Sequence, residues 1–97
     1  MHRVALLALL EAKAGEEEKL AAFLKSALPL AVQEPATVSW FAFRIDSSRF
    51  GIFDTFADES GRNAHLNGEI AKALFARADE LLASPPQIER PEILAAK

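Results

Sequence analysis

Two residues carry most of the chemistry in this 97-residue chain: Asp54 and His65, at the two ends of FDTFADESGRNAH. Asp54 sits in an apolar run between Phe53 and Phe56, where aspartate is unusual because its short polar side chain competes for the backbone. His65 follows on what reads as a helix. An imidazole titrates near neutral pH, so a carboxylate joined to it makes either a tuned acid–base pair or a structural link. Asp54 alone has a second reading, as an acceptor for backbone N–H groups at the start of the next helix. The spacing of histidines and carboxylates matches no metal-ligand pattern. Cysteine is absent, which removes disulfides, thiolate metal sites and a cysteine nucleophile.

Something must hold these two residues. Val4 to Lys13 reads as a buried strand that ends before Gly15. GEEEKLAAFLKSAL then opens a helix, with Gly15 as cap, Glu16 to Glu18 in the first turn, and Leu20, Phe23, Leu24, Ala27 and Leu28 as an apolar stripe. Pro29 stops or kinks it, with residues 30 to 33 as a bent last turn. Thr37 to Ile45 and Phe50 to Phe56 are strands joined through the DSSR turn as an antiparallel hairpin. A helix starts at Asp58 or Ser60 and is interrupted at Asn67-Gly68. Asn67 is expected to cap a second segment whose stripe runs through Ile70, Leu74, Phe75, Ala78, Leu81 and Leu82. Pro85-Pro86 ends that helix, and residues 87 to 96 form a last strand that Pro91 demotes to an edge or a bulge.

The order β-α-β-β-α-β predicts a single α+β domain over 1–97, ferredoxin-like, with a four-stranded antiparallel sheet and helices on one face. Apolar residues make up 51% of the chain. That is more than so small a domain hides inside, so the bare face of the sheet is expected to pack on a second copy, giving a homodimer built as a dimeric α+β barrel. The net charge of −3 and the lack of a basic block argue against nucleic acid and anionic membranes as partners. An RNA-binding reading of RFGIFDTF fails because alternation splits its aromatics between two faces. The start MHRVALLALLEAKAG has an apolar run at the lower limit for a signal peptide, followed at once by Glu11, and is better read as the first strand. A chain without cysteine suits a reducing cytoplasm, the expected compartment.

Three stretches, QEPATVSW (33 to 40), FDTFADESGRNAH (53 to 65) and LLASPPQI (81 to 88), resemble the antibiotic biosynthesis monooxygenase family. These are small dimeric ferredoxin-like proteins that include cofactor-free quinol monooxygenases. Glu34 and Pro35 match the family's Glu-Pro-Gly turn. Asp54, Phe56, Asp58 and His65 match its Glu-x-Trp-x-Asp followed by a helical histidine. The resemblance implies oxygenation of a small quinol, phenol or anthrone by O₂ without metal, flavin or other cofactor. In that chemistry a base removes a phenolic proton and the anion passes an electron to O₂. His65 would be the base, Asp54 would orient it, and Trp40, Phe56, Phe23 and Phe75 would wall the pocket. Arg44 and Arg62 are the cations open to an acidic substrate group, and spacing selects neither. The chain departs from the family in Asp for Glu at 54, Phe for Trp at 56, Ala36 for the turn glycine, and the absence of tyrosine. The other class of function open to the chain is a non-catalytic dimer that binds a small apolar ligand or only assembles.

Overall fold

A computed structural model describes residues 3–97. The elements follow in the order β1 (Val4–Glu11), α1 (Glu17–Ser26), α2 (Leu28–Val32), β2 (Thr37–Arg44), β3 (Arg49–Phe56), α3 (Glu59–Leu66), α4 (Glu69–Leu81) and β4 (Gln87–Glu89). The four strands form one antiparallel sheet in the order β2-β3-β1-β4, with the helices on one face. This is the ferredoxin-like α+β arrangement.

The apolar run of β1 is central because it pairs on both sides, with β3 and with β4. Leu6, Ala8 and Leu10 point to the helices and are buried. Leu20, Phe23 and Leu24 of α1 and Leu74 and Leu81 of α4 close over them, together with Phe50 and Ile52 of β3. Burial of such side chains stabilises the domain by roughly 1.5–3 kcal/mol each. Leu7, Leu9, Phe41, Phe43 and Phe53 lie on the opposite face by alternation, and Phe41 is 58% exposed there.

Local chemistry sets most boundaries. Gly15 takes φ +88°, a left-handed turn that glycine adopts without strain, and α1 begins two residues later. Pro29 does more than end α1: it starts the five-residue α2, in whose first turn a missing N–H leaves nothing unsatisfied. Asp46 accepts from the backbone N–H groups of Ser48 (3.2 Å) and Arg49 (2.9 Å), which closes the β2–β3 turn. Asn67 does not cap α4. It ends α3, where its side chain donates to the Asn63 carbonyl, and extended Gly68 takes the cap position.

The last strand is shorter than expected, and the reason is Pro91. Regular pairing with β1 covers only Gln87–Glu89 and resumes as a bridge between Val4 and Glu92. In the same register Ala5 faces Pro91. The Ala5 N–H donates to the Pro91 carbonyl at 3.0 Å, but proline has no N–H to return. Arg62 of α3 supplies the missing donor: its Nη1 lies 3.2 Å from the Ala5 carbonyl oxygen. A buried guanidinium thus completes a rung that the sequence of β4 leaves open.

Candidate functional site

Asp54 lies in the middle of β3, opposite Leu6 of β1 and Trp40 of β2. The alternation of β3 puts Phe50, Ile52, Asp54 and Phe56 on the helix face, and Asp54 is 1% exposed. It does not cap the following helix. Asp58 does, accepting from the Gly61 N–H at 3.0 Å and from the Ser60 hydroxyl at 2.9 Å. Neither Asp54 oxygen receives a well-aligned hydrogen bond among the described residues. The acid is held by charge: His65 Nε2 stands 2.8 Å from its Oδ2.

His65 sits near the end of α3 and is nearly enclosed, with the Phe56 ring tilted beside it at 5.5 Å. Its other nitrogen, Nδ1, lies 2.7 Å from Glu34 Oε1. Glu34 follows α2, and the Thr37 hydroxyl donates to the same oxygen at 2.7 Å. Both ring nitrogens therefore face carboxylates, an arrangement that calls for a proton on each. Burial opposes a charge on the ring, but Asp54 and Glu34 outweigh it and raise the His65 pKa above its ordinary value. The trio runs inward from a partly exposed carboxylate, through an imidazolium, to a fully buried carboxylate.

A cavity of about 40 Å³ adjoins it, walled by Leu6, Ala8, Ile52, Ile70, Asp54 and His65, with Phe75 at its rim. A larger groove of about 500 Å³ runs between α1 and β2, where Leu24, Leu28, Trp40 and Phe50 meet Lys25 and Arg44. The four aromatic residues expected to wall one pocket are dispersed. Trp40 lines the groove, and Phe75 borders the small cavity while remaining 55% exposed. Phe56 and Phe23 are buried in the packing, the second beneath the Arg77 guanidinium. Of the two arginines, Arg62 is spent on the Ala5 carbonyl, while Arg44 stacks on Phe50 at 4.7 Å and pairs with Glu18 at 3.1 Å. Glu34 is the site residue to which sequence reasoning gave no role. Its only signal was the Glu-Pro match in the turn before β2. No group of three or more metal-ligating residues is assembled among the described residues.

This frame, a four-stranded ferredoxin-like sheet with its helices on one face, is an antibiotic-biosynthesis-monooxygenase-like fold. Solved structures named "putative antibiotic biosynthesis monooxygenase" share it. The one from Nitrosomonas europaea has TM-score 0.84 and 14% identity over 96% of this chain and 91% of its own. The one from Chloroflexus aurantiacus has TM-score 0.76 and 16% identity over 98% and 96%. At such identities the likeness is one of fold. The NE2512 protein of unknown function from Nitrosomonas europaea is far nearer, at 60% identity and TM-score 0.98 over 100% of this chain and 94% of its own. The chain belongs to the family of that protein. No protein-family model matches the chain, and no curated protein does. No helix among the described residues is long and apolar enough to cross a membrane.

Proposed function

We propose that the chain is a cofactor-independent monooxygenase that oxidises a small electron-rich aromatic, of quinol, phenol or anthrone type, with O₂. One observation carries the proposal: a buried carboxylate with an unpartnered oxygen borders an apolar cavity and connects through His65 to a carboxylate at the surface. With protons on both nitrogens, His65 cannot accept another. In this arrangement Asp54 takes the phenolic proton, the His65 imidazolium stabilises the phenolate, and Asp54 returns that proton to the oxygen that leaves as water. The substrate anion then donates electrons to O₂. One oxygen atom enters the ring, and the other leaves as water with two substrate hydrogens. The cavity must widen to admit a ring, because benzene occupies an engineered cavity of about 150 Å³. Phe75 at the rim is the side chain free to move.

The size of that cavity favours a second reading, a ligand-binding dimer without catalysis. Oxygen uptake by the metal-free protein against hydroquinones, naphthoquinols and anthrones separates the two. Uptake above the spontaneous rate that falls in Asp54→Asn and in His65→Gln supports the enzyme. Uptake equal to buffer, or unchanged in both variants, leaves the binder.

We also propose that the open sheet face, with Phe41, Phe43 and Phe53, packs on a second copy. Phe41 is 58% and Phe43 37% exposed on this face, and neighbouring exposed aromatics mark a surface that another molecule covers. Sedimentation equilibrium tests this, and a monomer at all concentrations rules it out. A reducing cytoplasm is the compartment that suits a chain without cysteine, and neither nucleic acid nor membrane is proposed as a partner.

A further inference from the structure

The groove beside β2 is distinct from the His65 cavity. β2 is an edge strand. The groove touches five consecutive residues of it, from Trp40 to Arg44. Successive side chains on a strand point to opposite faces, so a depression that meets all five follows the outer edge of the strand. Its far wall is α1 and the start of α2, through Ala21, Leu24 and Leu28. Its volume of about 500 Å³ falls within the range of small-molecule sites, roughly 300–1,000 Å³.

The lining is apolar and aromatic, with two cations, Lys25 and Arg44, and no acidic residue. Arg44 is already laid over the Phe50 ring, which fixes the plane of its guanidinium. Its one carboxylate partner, Glu18, is 84% exposed, so that pair is screened by water and easily exchanged. A ligand carboxylate that reaches the same guanidinium while its ring covers Trp40 is better placed than Glu18, because it leaves water on binding.

We propose that this groove is a binding site for a small aromatic carboxylate, with the ring against Trp40 and the carboxylate between Lys25 and Arg44. Charge complementarity selects this occupant over a neutral aromatic. It also selects it over an extended peptide added to the β2 edge, which would need backbone pairing and no cation. The site does not depend on oxidation by the His65 centre, and a protein that consumes no O₂ would still bind.

Trp40 is the only tryptophan and the chain has no tyrosine, so intrinsic fluorescence reports the residue that walls this groove, and the Lys25 and Arg44 variants separate groove binding from changes in the core behind it. Phenylbutyrate and its neutral counterpart phenylbutanol absorb too far to the blue to interfere. The expected result is a saturable change in Trp40 emission with phenylbutyrate, about tenfold tighter than with phenylbutanol. Lys25→Gln, at an exposed position of α1, should bring the two ligands together, and Arg44→Gln should do the same. Glu18→Gln removes the competing carboxylate and should tighten phenylbutyrate only. Equal affinity for acid and alcohol overturns the proposal. So does the absence of saturation, an unaltered preference in Lys25→Gln and Arg44→Gln, or an emission change that appears only with a change in oligomeric state.

Discussion

Glu34 Oε1 stands 2.7 Å from His65 Nδ1, although the two positions are 31 residues apart in the chain. The contact joins the turn before β2 to the end of α3. Because Asp54 meets the other nitrogen, the imidazolium is held from two sides, one of them nearly dry. Removing Glu34 should therefore do less than removing Asp54. Glu34→Gln keeps an acceptor for the Nδ1–H but takes away a charge. The His65 pKa should fall, by NMR titration of its ring protons, and stability should drop by about 1 kcal/mol in urea.

Asp54→Ala should be far more costly. It leaves a charged ring without its buried partner, which typically costs about 3–5 kcal/mol. Asp54→Asn fills the same space and should lose less. If denaturation midpoints place the alanine and asparagine variants together, the space-filling role of the side chain counts for little.

The raised His65 pKa sets a pH dependence with a definite sign. Below the unfolded pKa of about 6.5 both states are protonated and the clamp contributes in full. As pH rises through the folded pKa the ring loses its proton and the two carboxylates lose their shared cation, so stability falls. Urea midpoints should decline across that window in the wild type, and His65→Gln should remove that part of the slope.

Arg62 offers a cycle with two proteins' worth of controls. Arg62→Met leaves the buried Ala5 carbonyl without a donor and should cost about 1–3 kcal/mol. Pro91→Ala gives the strand an N–H of its own. In the Arg62→Met background it should recover part of the loss, whereas in the wild type it competes with the guanidinium for one oxygen. Equal effects of Pro91→Ala in both backgrounds would mean that Arg62 and Pro91 are not coupled.

Gly51 lies under the Phe43 ring, and a Cβ there would come 2.6 Å from Cε1. Gly51→Ala must lift the ring off the open face. If that face joins two copies, the variant should shift toward monomer in sedimentation, and Phe43→Leu in the same chain should restore part of the association.

The order of elements was legible because the apolar period changes from strand to helix at turn residues with a clear mechanism, such as Asp46 and Asp58. The pairing of Asp54 with His65 was legible as a chemical option, because both stand out against their local pattern. Glu34 was not: no local periodicity reports a contact made across the fold. The aromatic residues misled for a related reason. Trp40, Phe56, Phe23 and Phe75 share a residue class, yet their elements send them to a groove, two core positions and a cavity rim. Pro91 signalled a disturbed strand, but nothing in the neighbouring sequence says that a helix residue 29 positions earlier would mend it.

The Arg62 clasp also fixes how force travels through the domain. α3 carries both Arg62 and His65, and Arg62 also reaches toward the Pro91 carbonyl at 3.5 Å. The chain end is thereby tied both to β1 through its backbone and to α3 through one guanidinium. Tension applied at the last residues would load the Ile93–Arg3 and Ala5–Pro91 rungs on β1 first, and Arg62, which reaches both carbonyls of the second rung, would feel it next.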